Sequence, residues 1–314
     1  MTFGEPIPFE EAIAIAQSKG LLPNDLSSAQ LSVLDQQLKQ RAVFSARLDK
    51  AEVLQVLLDN LEAIVSGLRD ERGVYRSIPE AKAQLREAML RAGVPFAPVG
   101  TAKIKDFYSD TRRDLIVRTN VLDTMGFGQH VALQGSLYSV PAQKLVRTRV
   151  PKGGAAAMRP WVRRWHDAMD AIGSDAESGC TIPEESGGIM AALINHPIWQ
   201  ALGNGAGGYG DALGNPWAPF AFNSGMSLTP ISRAQAVALG LIGIDEEIEP
   251  ETHFDMNENL EASVAKFSGA LQGELNKGGL KILDGVLKIA NRRAGVFRAR
   301  QKLRGLLHEL QEAA

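Results

Sequence analysis

Two of the five histidines and the single cysteine, His166, Cys180 and His196, have the side chains that bind transition metals. Their spacing matches no zinc pattern, and neither H-E-x-x-H nor C-x-x-C occurs. His196 precedes Pro197 and so reads as a turn residue. Glu247-Ile-Glu249 is a Glu-x-Glu pair, the arrangement with which ADP-ribosyltransferases orient a ribose. Those enzymes also need an Arg strand and a Ser-Thr-Ser strand, for which Asn223-Ser-Gly-Met-Ser227 is a poor substitute, so the pair reads as part of an acidic linker. Gly203-Asn-Gly205-Ala-Gly-Gly208 satisfies G-x-G-x-x-G, but it leads into Tyr-Gly-Asp-Ala-Leu-Gly-Asn-Pro216, which cannot begin a helix. It reads as a loop, and there is no Walker A lysine. A Ser-His-Asp hydrolase lacks its G-x-S-x-G elbow. Trp161, Trp165, Trp199 and Trp217, with Arg159, Arg163 and Arg164, have the chemistry to stack bases and grip phosphates. In an irregular segment such aromatics more often form the core. No catalytic, cofactor or metal residue is assigned, and the chain reads as not an enzyme. The alternatives are a small transferase or hydrolase using residues 141–249, and a nucleic-acid-binding module.

The elements that position these residues fall into three blocks. Residues 1–140 read as a helical domain. Phe9, Ala12, Ile13 and Ala16 share a face over 8–19, which Gly20 ends, and a helix follows from Ser28 with Leu31, Leu34, Leu38 and Ala42 on one side. Asp49 and Glu52 pattern as a capping box before Val53, Leu54, Leu57, Leu58, Leu61, Ile64 and Val65. Ser77-Ile-Pro-Glu80 is a second such box, and Gly93 and Pro95 close its helix. Another helix spans Ser109 to about Gln134 and buries Leu115, Thr119 and Leu122. Residues 141–244 read as an irregular α+β domain rich in Gly, Pro and Trp. Lys144–Val150 alternates as a strand, and Ser232-Arg-Ala-Gln235 caps a helix to Leu239. Within it Trp217, Phe220 and Phe222 are expected to pack the core around the Asn215–Gly225 turns.

Residues 245–314 are split by charge. About eight acids and no Lys or Arg occupy 245–261. Lys277, Lys281, Lys288, Arg292, Arg293, Arg298, Arg300, Lys302 and Arg304 follow, with only Asp284 against them over 277–304. Leu260, Val264, Phe267, Leu271 and Leu275 form a helical stripe, which Leu280, Leu283, Leu287 and Ala290 continue. The expectation is an acidic linker and a basic amphipathic helical tail that binds DNA or an acidic partner surface. The fold class is therefore α+β, mainly helical. A net charge of −2 gives no global field for nucleic acid. One cysteine excludes an intrachain disulfide. Neither a signal peptide nor a membrane span is read, so the expected setting is inside a cell or in a particle assembled there.

The chain resembles the Mu-type phage head morphogenesis (minor head or minor capsid) proteins over about residues 5–242. The residues that carry this are Ile7-Pro-Phe-Glu-Glu-Ala-Ile13 through Leu22, then Arg41-Ala-Val-Phe-Ser45 and Arg118-Thr-Asn120. The third stretch runs from His196-Pro-Ile-Trp199 to Asn215-Pro-Trp-Ala-Pro-Phe-Ala-Phe-Asn-Ser-Gly-Met226. Many members end this region with a Cys-x-Cys pair, absent here, so the resemblance implies no metal. It implies a structural role in head assembly and in DNA retention or ejection. The implied setting is the virion, inside the head or near the portal, and the host cytoplasm during assembly. The implied partners are the portal, capsid or scaffold proteins and packaged double-stranded DNA, with no membrane and no small-molecule substrate. In this family segment His196, Trp199, Trp217, Phe220 and Phe222 are the expected structural core.

Overall fold

The computed structural model describes residues 9–24, 42–67, 75–149, 159–173 and 178–251, and the backbone of 261–263, 280–283 and 286–289. The fold is mixed α+β and mainly helical. It divides into two compact units: one holds the described residues from Phe9 to Thr124 with the tail strands, the other those from Met125 to Glu251.

In the first unit, α1 (Glu10–Ser18) buries Ala12, Ile15 and Ala16. The chain then extends into β1 (Gly20–Leu22), which pairs in parallel with β2 (Ala42–Phe44). Ala42–Phe44 is thus a strand and not the helix expected there, while residues 25–41 lie outside the described residues. Helix α2 (Ala51–Ser66) buries Val53, Leu54, Leu57, Leu58 and Leu61 and ends at Gly67, whose φ of 60° is the left-handed C-cap that glycine favours. The expected Asp49–Glu52 capping box does not form: Lys50 is the N-cap, without a side-chain bond. Helix α3 (Ile78–Arg91) is N-capped by Ser77, whose Oγ accepts from the Glu80 N–H at 3.3 Å, the serine half of the expected box.

Helix α4 (Asp110–Leu133) turns a different face inward from the one expected. Leu122 is 50% exposed and Leu115 is half-buried, while Ile116, Val117, Thr119, Asn120 and Val121 are buried. Hydrogen bonding explains the rotation. Asn120 Nδ2 donates to the Phe44 and Ile116 carbonyls (3.1 and 2.9 Å), and its Oδ1 accepts from the Phe44 N–H at 3.2 Å. One amide thus completes the edge of β2. Arg112 donates to Ser45 Oγ and the Ala46 carbonyl (3.0 and 2.8 Å). Lys19 pairs with Asp123 at 2.9 Å, both nearly sealed from solvent. Polar groups buried this deeply need such partners.

In the second unit, β3 (Ala142–Arg147) is the centre of an antiparallel sheet, between β4 (Ala191–Leu193) and β5 (Met226–Ile231). Helices α5 (Trp161–Ile172), α6 (Ile198–Gly203) and α7 (Arg233–Ala238) and the last turns of α4 accompany it. Both halves of the Ser232–Gln235 capping box form. Trp165, Trp199, Phe220, Leu145 and Leu228 belong to the main core, and Ala142, Ile231, Ala236, Leu241 and Ile242 form a smaller one.

The described part of the tail is strand, contrary to the helix expected. β6 (Glu261–Ser263) and β7 (Leu280–Leu283) flank β8 (Val286–Ile289), all antiparallel. β7 and β8 pair with Leu283 opposite Val286, and in the sequence Asp-Gly between two apolar runs is a hairpin signal. The rest of the proposed helical stripe, including Phe267 and Leu271, lies outside the described residues.

Candidate functional site

The second unit gathers the rare side chains around α5. This helix starts at Trp161, and its inward positions Trp161, Arg164, Trp165 and Ala168 repeat at helical spacing. Trp165 meets Trp199 edge-on at 5.4 Å between ring centroids, and Trp199 stacks on Phe220 at 5.8 Å. Each indole finds an acceptor: Trp165 Nε1 donates to the Thr181 carbonyl (2.9 Å) and Trp199 Nε1 to the Leu193 carbonyl (2.8 Å). Trp217 is buried apart from this cluster, stacked on Phe127 of α4 at 4.2 Å. Gly126 permits that contact, because a Cβ there would run into the Ala218 carbonyl. Phe222, expected in the core, is only half-buried; its main chain is what is used, bonding to Asp211 and Arg159.

Asp211 is the charged centre of this unit. Arg159 Nε reaches it at 2.5 Å and Arg164 Nη2 contacts both of its oxygens at 2.9 and 3.1 Å. Arg159 also donates to the carbonyls of Phe222 (2.6 Å) and Asn223 (2.8 Å), tying the 211–223 loop to the start of α5. The Arg164 guanidinium lies 4.0 Å over the Tyr209 ring and 5.1 Å from the Trp161 ring centroid. Tyr209 donates to Asp167 at 2.6 Å; that bond is the main reason its phenol titrates above the ordinary range. Two of the three arginines proposed to grip phosphate are thus bound to a carboxylate, while Arg163 remains exposed.

The three potential metal ligands are not gathered. His166 Nε2 pairs with Glu184 at 3.0 Å. The Glu184 carboxyl is held below its usual range, first by its own backbone N–H and next by His166. His196 accepts from the Ile198 N–H at Nδ1 (3.2 Å) and meets the Ser178 carbonyl at Nε2 (3.1 Å), so the ring proton sits on Nε2 and both nitrogens are used in architecture. Cys180 bridges to Ala192 in the main chain. No group of three metal-binding side chains occurs among the described residues. Glu249 offers its carbonyl to Asn195 at 2.9 Å. The Gly203–Gly208 motif is a turn after α6, as its sequence implies, with Gly205, Gly207 and Gly208 at positive φ.

Beside α5 lies an open groove of about 720 Å³. Leu145, Met190 and Met226 line it together with Trp161, and Arg147, Arg159, Arg163 and His166 supply its polar lining. Sequence reading missed it, because its sides come from β3, β5 and α5, separated by tens of residues. Of the proposed tail residues only Lys281 and Lys288 are described, as opposed partners on β7 and β8; Lys277, Arg292, Arg293, Arg298, Arg300, Lys302 and Arg304 lie outside the described residues.

Compared with known proteins, the chain matches no family model, no curated protein and no solved structure. No helix among the described residues is long and apolar enough to cross a membrane.

Proposed function

We propose that the chain is a structural minor head protein of a phage, acting with the portal and with capsid or scaffold proteins in head assembly and in DNA retention or ejection. The observation that carries this reading is the use made of the segment that resembles the family. His196, Trp199, Asp211, Trp217 and Phe220 are all engaged in building the second unit, through buried rings, main-chain bonds and the two-arginine hold on Asp211. Side chains employed in this way give a rigid block, which suits an assembly component. In this reading the basic tail meets packaged DNA or an acidic portal surface, inside the head or near the portal.

Mass spectrometry of purified heads tests the proposal. The expected result is a fixed low copy number per head, with fewer DNA-filled heads when the gene is deleted. Heads that lack the protein and fill normally without it would sink the reading.

A further inference from the structure

We propose that the groove beside α5 binds an extended acidic peptide that presents one apolar side chain. Strand alternation puts Leu145 and Arg147 on one face of β3, and the antiparallel register sets Met226 opposite Arg147. With Met190 these line the groove with three apolar side chains and a guanidinium. Methionine linings adapt to varied apolar shapes.

The charge in the groove is one-sided. Among the described residues no carboxylate lines it. The carboxylates bonded to its lining residues, Asp211 and Glu184, are already held by Arg159 and His166. Arg163 has no ion-pair partner among the described residues, and Arg147 Nη1 is buried without an acceptor. The indole N–H of Trp161, a residue 4% exposed, also lacks one. A carboxylate is the acceptor that suits these donors.

The strand edge favours a peptide over a nucleic acid. β4 runs beside β3 only over Ala142–Lys144, and the Leu145 N–H still reaches the Met190 carbonyl at 2.8 Å. Beyond that bond, this edge of β3 carries no strand among the described residues, so the main chain of an extended segment can lie there with a side chain in the groove. A phosphate backbone calls for a longer basic track than two arginines with an apolar lining. This binding chemistry does not depend on the head-protein reading.

The test uses the full chain and an array of peptides of about twelve residues, each with Asp and Glu flanking one Leu, Phe or Trp. Lysine-substituted copies and a short DNA duplex are the controls. The acidic peptides are expected to bind, and Arg163→Glu, at an exposed position, to weaken them by about tenfold or more. Arg147→Glu should do the same where its melting temperature shows it folded. Replacing the apolar peptide residue by Ser should also remove binding. No selective capture of acidic peptides, capture indifferent to Arg163→Glu, or duplex DNA binding more tightly through the same arginine would each overturn the proposal.

Discussion

The two units bury their cores by different means. In the first, α2 and α3 are 16 and 14 residues long, and their apolar positions recur at helical spacing. In the second, α6 and α7 have six residues each and β4 has three, too short to be stable alone. Large aromatics hold α6 and β4, together with side chains that bond to main chain, Trp165 to Thr181, Trp199 to Leu193 and Arg159 to Phe222, while α7 sits in the smaller aliphatic core. A core made from local periodicity spreads its stability over many similar residues. A core made from irregular segments concentrates it in a few.

That contrast breaks first at the aromatics. Truncating Phe220 or Trp199 to Ala should cost about 3–5 kcal/mol in urea unfolding. Phe222→Ala, at a half-buried site, should cost less than about 1 kcal/mol. All four tryptophans lie in the second unit, so their fluorescence reports it directly. Equal losses at Phe220 and Phe222 would mean that the core boundary drawn here is misplaced.

The first unit has one concentrated feature of its own, the buried Lys19–Asp123 pair. Lys19→Met alone removes the ammonium from beside a buried carboxylate and should cost roughly 3 kcal/mol. Adding Asp123→Leu should recover most of that loss, because well-packed apolar replacements of buried pairs are often neutral. A double variant as unstable as the single one would show that the ion pair itself is required. A smaller effect is expected at Gly203, where a Cβ would run into the Asn215 main chain. Gly203→Ala should cost about 1–3 kcal/mol through overpacking, read by the same fluorescence melt. An unchanged melt would show that the 203–215 contact is loose.

Where signals were local, the sequence was readable. α2, α3, β3 and α7 follow from periodicity, caps and alternation within a few residues of each other. The inward face of α4 was not, since Asn120 and Thr119 turn in for hydrogen bonds and packing while Leu122 turns out. Three-residue parallel strands such as β1 and β2 leave no local mark that separates Ala-Val-Phe from a helix. The antiparallel β7–β8 pair did leave a mark in the sequence, Asp-Gly between apolar runs, but the leucine spacing around it also fits a helix. The hold on Asp211 joins residues about fifty apart, and no spacing rule anticipates it.

The smallest effect should come at the end of the second unit, where Glu251 meets His130 Nε2 at 3.1 Å. That hydrogen bond is the main cause holding the Glu251 carboxyl below its usual range, against the opposing pull of desolvation. A carboxyl depressed in the folded state stabilises it above the unfolded pKa, and that contribution fades as pH falls through the lower folded value. Glu251 is about half exposed, so water screens the interaction, and the contribution should stay below about 1 kcal/mol. Its main chain is engaged as well, the N–H donating to Gln134 Oε1 at 2.9 Å, and a substitution confined to the carboxyl leaves that bond in place. Glu251→Gln should therefore leave the fold intact and flatten the acid limb of stability against pH, with little change in slope near neutrality. Urea midpoints from pH 3 to pH 7 for both proteins measure this directly. Superimposable acid limbs would mean that the His130 contact does not persist in solution, and that the Gln134 and Asn195 side chains hold the main chain at this end without it.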